Sequence, residues 1–168
     1  MRKILVVMML LLVSFSLFAG EITDKDLIRF VSKKCKEYNL PADIVFAIGI
    51  NESGFRNIRS YSDNSNGSYD IGIFQINSYY VRYYERTFWY REEDFNPWNP
   101  YHNCEMAIMY LNHLRKYTGS LADAISAYNT GLRGLKKYPN VGYIYRAKIA
   151  NSLNSIKVFT EEYIYFDR

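Results

Sequence analysis

The chain has 168 residues, 17% of them aromatic, with 17 tyrosines and a formal net charge of +4. That length supports one domain with a real core. So mild a charge, without any basic stripe, excludes a nucleic-acid-binding reading, and two cysteines with two histidines make a poor metal site.

Residues 1–20 read as an export signal. Arg2 and Lys3 form a positive start, Ile4 to Phe18 an almost unbroken apolar stretch, and Ala19-Gly20 a small-residue cleavage point. Leu17 departs from the small-x-small pattern, so the point of cleavage stays open. The run is short for a spanning helix of roughly 20 residues, and no second stretch is long enough to cross a bilayer. Residues 21–168 then form one domain with 19 basic and 17 acidic residues, a net charge of +2. Such a surface suits a weakly anionic polymer, for example a cell-wall glycan. In an exported chain Cys35 and Cys104 can form one disulfide; two free buried thiols are the alternative.

The first helix is expected to start at Thr23-Asp24-Lys25-Asp26, with a hydroxyl three residues before an acid. Leu27, Ile28, Phe30, Val31, Cys35 and Tyr38 follow near helical spacing. Asn39-Leu40-Pro41 breaks it. Pro41 can open a second helix through the apolar run 44–50 to Glu52, closed at Gly54. Residues 57–69 form a Ser/Asn/Asp/Gly loop. Around residues 68–77, Ile71 to Ile76 make a short strand or irregular turn. Ser78 to Tyr90 is unusually aromatic and begins as a helix, and Pro97 and Pro100 mark a turn. Residues 101–116 place Cys104, Ala107, Ile108, Leu111 and Leu114 on one helical face. Thr118-Gly119-Ser120 separates this helix from one starting at Leu121. Pro139 to Gly142 precedes a last helix at about 143–153, and the tail 157–168 has a period-two pattern that suits an extended segment. The expected domain is mostly helical with little strand.

Three polar clusters punctuate this helical pattern: Glu52-Ser53-Gly54-Phe55, Asp70-Ile71-Gly72-Ile73-Phe74-Gln75-Ile76-Asn77 and Ala127-Tyr128-Asn129-Thr130-Gly131. A carboxyl at the end of an apolar helix, with short polar side chains around it, is what cleavage of a glycan requires. Together with Tyr143-Ile144, these motifs resemble the family 1 lytic transglycosylases, the SLT-type relatives of lysozyme, over roughly residues 27–153. The matches are Glu52, Ser53 and Phe55; Gly72 and Gln75; Ala127 to Gly131; and the Tyr143-Ile144 pair. Asp70 stands where typical members carry a small residue. In this the chain resembles the subgroup tied to type III and type IV secretion systems and pili, and also animal lysozymes, whose second catalytic carboxylate lies in the matching place.

The resemblance implies a mainly α, lysozyme-like (α+β) domain with Glu52 in a cleft. It implies peptidoglycan as substrate, a periplasmic or envelope location, no cofactor, and a possible partner in an envelope-spanning secretion or pilus apparatus. Glu52 would protonate the leaving oxygen, then act as base on the sugar's own 6-hydroxyl to give a 1,6-anhydro end. Asp70 would either stabilise positive charge or attack it, which makes a lysozyme-like muramidase the alternative enzyme. A wall-binding scaffold without catalysis is the alternative outside enzymes. Ser53 would orient Glu52 or hold an N-acetyl or peptide group. Gln75 and Asn77 would line the groove, Tyr128 would approach the scissile sugar, and Asn129 would hold local backbone. Tyr143 would close the far side, with core packing its other reading. Trp89 and Trp98 can stack on sugars, though nothing in the sequence demands it, and His102 and His113 have no catalytic role.

Overall fold

Asp24 caps the first helix of the computed structural model, which describes residues 24–164; Thr23 lies outside them. The Asp24 carboxylate accepts from the amides of Asp26 and Leu27, satisfying two of the donors that a helix start leaves free. The expected signal, residues 1–20, lies outside the described residues. Helix α1 (Lys25–Glu37) buries Leu27, Ile28, Val31 and Cys35. Pro41 then stands immediately before α2 (Ala42–Ser53).

Helix α2 is apolar on every side, and Val45, Phe46, Ala47, Ile48 and Gly49 are all buried in succession. A helix of that kind must run through the core. It packs against α1 and the last helix, and its polar C-terminus emerges at the core's edge. Gly54, in the left-handed conformation, closes it.

A two-stranded antiparallel hairpin follows, β1 (Asp70–Ile71) and β2 (Ile76–Asn77), with Asp70 opposite Asn77 and Ile71 opposite Ile76. Its loop is pinned by Asn103, which is fully buried. The Asn103 amide donates to the carbonyls of Ile71 (2.9 Å) and Pro97 (3.0 Å) and accepts from the Phe74 amide (2.9 Å). Gly72 makes this approach possible: its φ is +79°, and a Cβ there would lie 2.2 Å from Asn103 Nδ2.

A 3₁₀ turn (Ser78–Tyr80) leads into α3 (Val81–Phe88). Then come α4 (Pro100–Thr118), α5 (Leu121–Lys137) and α6 (Pro139–Ile164). Through residue 164 the tail is therefore helical rather than extended. Helix α6 packs along α5 and α2, burying Tyr145, Ile149 and Ile156, and that burial outweighs the period-two pattern.

Most of the core joins α1, α2, α4, α5 and α6. A smaller cluster of Ile76, Phe88, Trp89, Phe95 and Met106 lies behind the hairpin and α3. The buried Glu105 ties the elements on that side together, pairing with Lys34 at 3.0 Å and with Arg91. The fold is mainly α with one small sheet, as expected. Among the described residues no helix is long and apolar enough to cross a membrane.

Cys35 and Cys104 are free buried thiols, so the expected disulfide is not formed. Each fills a fully packed site between helices and behaves as a small apolar side chain. Burial pushes the Cys35 thiol up to about 12 and the Cys104 thiol higher still, leaving almost no thiolate for exchange.

Candidate active site

Glu52 occupies the last turn of α2, where the apolar core gives way to an open groove. A cavity of about 390 Å³ lies on one side of it. Its walls come from the hairpin (Asp70, Gln75, Asn77), α3 (Tyr84), α4 (Tyr110) and α5 (Tyr128). Burial holds the Glu52 carboxyl above the usual carboxylate range, and the negative charge of Asp70 adds to this. A hydrogen bond from Tyr145 and the positive charge of Lys148 oppose it without cancelling it. The Tyr145 hydroxyl donates to Glu52 Oε1 at 2.5 Å. Since that phenol is itself buried and faces a carboxylate, its own pKa is pushed far up and it remains a donor.

Asp70 lines the same groove, held by the hairpin. Its Oδ1 accepts from Asn77 Nδ2 at 2.8 Å and from Asn64 Nδ2 at 3.4 Å. Its backbone amide donates to Ser60 Oγ at 3.1 Å. Asn77 also donates to Ser68 Oγ (3.0 Å), and its Oδ1 caps the 3₁₀ turn by accepting from the Tyr79 amide (3.0 Å). Asn77 thus touches the groove and orients Asp70 at once.

Gln75 adopts φ +50°. Its Nε2 donates to the carbonyls of Gly72 (2.7 Å) and Ile58 (3.2 Å), which anchors the hairpin loop while the side chain forms part of the groove wall. Ser53 is buried, and its hydroxyl is committed to backbone. It donates to the Ile73 carbonyl (2.8 Å) and accepts from the Arg56 amide (2.9 Å). Ser53 therefore fixes the helix end that carries Glu52, its hydroxyl bonded to backbone.

The Tyr128 hydroxyl reaches across the groove floor and donates to the Phe74 carbonyl at 3.0 Å. Burial, followed by the charge of Glu52, raises its pKa well above that of a free phenol. Asn129 and Thr130 line the groove because α5 kinks next to them: Gly131 has φ +69° and ψ 165°, outside the helical region. Only glycine adopts that conformation without strain.

Tyr143 does not close the site. It is 63% exposed and lies outside the groove, whereas Tyr145, two residues on, is 7% exposed and bonds Glu52. The signal was present in the helical spacing, since Gly142, Tyr145 and Ile149 fall on one face and all three are buried. The groove tyrosines Tyr84 and Tyr110, with ring centroids 5.1 Å apart, also escape a motif-based reading. Of the tryptophans, Trp89 is buried with Nε1 donating to the Glu93 carbonyl, and Trp98 is partly exposed but lines neither side of Glu52. Among the described residues no cluster of His, Cys, Asp and Glu could hold a metal ion.

Comparison with known proteins matches residues 29–149 to the family described as "Transglycosylase SLT domain". Protein IpgF of Shigella flexneri is 35% identical over 117 residues, covering 68% of this chain and 75% of that protein. Protein IpgF of Shigella sonnei is 34% identical over the same length, with the same coverage.

Proposed function

This chain belongs to the transglycosylase SLT family and is a peptidoglycan lytic transglycosylase, and from that premise we propose that Glu52 serves as both its acid and its base. The protonated carboxyl donates to the oxygen linking MurNAc to GlcNAc as the C1–O bond breaks. The substrate's N-acetyl carbonyl supports the positive charge developing at C1. The Glu52 carboxylate then takes the proton of the MurNAc 6-hydroxyl as that oxygen bonds to C1, closing a 1,6-anhydro ring. No water is consumed, and the proton given up in the first step is recovered in the second.

The observation that carries this reading is the state of Glu52. It is a half-buried carboxyl with a raised pKa, aimed by the Tyr145 hydroxyl, beside a groove. An acid poised in this way is typically worth about 10²–10⁴ in rate. Burial keeps the proton on the carboxyl, while the Tyr145 hydrogen bond aims it and opposes that effect only in part.

Asp70 favours a second reading, hydrolysis by a Glu/Asp pair, because it lines the same groove and acts electrostatically on Glu52. Its committed bonds to Asn77 and Asn64 favour a supporting role instead. Mass spectrometry of muropeptides released from purified wall separates the two. Anhydro ends, lighter by one water, support the transglycosylase. Free reducing ends support the muramidase. No release by folded protein leaves the wall-binding scaffold.

Residues 21–168 act as one exported domain in this account, with residues 1–20 as the signal that delivers it to the periplasm. The purpose we favour is local opening of the wall for a secretion or pilus apparatus. Unchanged secretion and pilus assembly after deletion of the gene would overturn that purpose.

A further inference from the structure

A second cavity, about 490 Å³, opens on the other side of Glu52 and shares Glu52 and Gln75 with the first. Its remaining walls include Asn51, Arg56, Ser60 and Tyr61, the last 94% exposed. Arg56 is the one cation lining either cavity among the described residues. Its Nε donates to the Ser53 carbonyl at 3.0 Å and its amide donates to Ser53 Oγ, which roots the side chain on the end of α2.

Arg56 lines a cavity and is not among the cations already committed to other groups. Arg59 is paired with Asp63 and stacked on Tyr69. Lys34 and Arg91 are spent on Glu105, and Arg115 on the carbonyls of Tyr38 and Asn39. Arg56 makes no ion pair among the described residues. A guanidinium fixed at its inner nitrogen and presenting its outer two offers a fork that fits a carboxylate.

We propose that this second cavity is a subsite for the peptide carried by the muramyl sugar, with Arg56 pairing to one of that peptide's carboxylates. The inference rests on the glycan-cleaving reading above. A sugar whose scissile oxygen sits at Glu52 is in reach of both cavities: the groove on the hairpin side takes the strand, and the other side is left for a substituent. Among the described residues the groove's only charged walls are Glu52 and Asp70, both acidic, so an anionic peptide is disfavoured there and favoured beside Arg56. The exposed Tyr61 ring adds an apolar face for the peptide's alkyl portions.

The test compares initial kcat/KM on intact peptidoglycan with that on glycan strands stripped of peptide by an amidase. Wild-type protein is expected to prefer the peptide-bearing strands by about ten-fold or more, as a charge-assisted pair permits. Arg56→Ala and Arg56→Gln abolish that preference, Arg56→Lys keeps part of it, and Arg56→Glu reverses it. The alkaline limb of the pH profile stays in place in Arg56→Ala, Arg56→Gln and Arg56→Lys, because Arg56 is not among the groups that shift Glu52, whereas the carboxylate added in Arg56→Glu moves it to higher pH. Equal rates of wild-type protein on both substrates overturn the subsite while leaving the cleavage reading standing. So does a preference that survives Arg56→Ala. No release from either substrate overturns the cleavage reading and this inference together.

Discussion

Tyr145 and Glu52 are 93 positions apart in the chain, yet the phenol of one donates a 2.5 Å hydrogen bond to the carboxylate of the other. The bond favours the ionised form and lowers the Glu52 pKa from where burial alone would set it. Removing the hydroxyl should therefore raise that pKa further. Tyr145→Phe is expected to move the alkaline limb of kcat/KM to higher pH. It should also lower kcat by about 10- to 100-fold through loss of aim. Tyr143→Phe, altering an exposed side chain, should change neither. A pH–rate profile of the two variants decides this; equal effects would return Tyr143 to the site.

Glu52→Gln should leave a folded protein that binds wall and does not lyse it, with a rate loss of about 10²–10⁴ or more. The same variant should be more stable than the wild type near neutral pH. The folded-state pKa of Glu52 is raised, so between the ordinary glutamate value and the raised one the folded chain holds a proton that the unfolded chain has lost. Stability is fully present below that window and falls as pH rises through the folded pKa. Glutamine has no such dependence. Thermal melts across pH should show the gap between variant and wild type closing in acid. A variant less stable at every pH would mean that the carboxylate is not penalised by burial.

Asp70→Asn should act oppositely to Tyr145→Phe on the pH profile. The Asp70 charge pushes the Glu52 pKa up, so neutralising it shifts the alkaline limb to lower pH. Asparagine can still accept from Asn77, and the hairpin should hold. Products should keep anhydro ends, with a rate loss within about ten-fold, below what a direct acid or base supplies. Abolished release would promote Asp70 to a direct catalytic role.

Gly72→Ala should destabilise the domain by about 2–4 kcal/mol, because the new methyl meets buried Asn103 at a backbone φ that alanine resists. Asn103→Ala should cost a similar amount, roughly 2–4 kcal/mol, by stripping partners from buried groups of Ile71, Phe74 and Pro97. Denaturant unfolding measures both. Wild-type stability in either would show that the loop is held elsewhere.

Thiol reagent should find neither cysteine in the native protein and both after unfolding without reductant, given two buried free thiols. Fewer than two under those conditions would restore the disulfide.

Local chemistry made much of this protein legible from its residues. The alternation of apolar and polar positions specified helices at 25–37 and 100–118, and left-handed glycines closed two of the helices, Gly54 that at 42–53 and Gly119 that at 100–118. The unbroken apolar run before Glu52 dictated a buried helix with its first polar acid at the core boundary, and hence a carboxyl with a raised pKa. The motif residues Glu52, Asp70, Gln75, Asn77, Tyr128 and Asn129 do meet at one groove. Contacts between distant segments decided the rest. Which tyrosine faces Glu52 depended on the rotation of α6 against α2, set by the burial of Ile149 and Ile156. That Ser53 serves the backbone depended on where Ile73 came to lie. Whether two cysteines bond depended on how α1 and α4 pack. Sequence spacing carries the first kind of information because neighbours along a chain are always neighbours in space. The second kind exists only once the core has closed and chosen which faces touch.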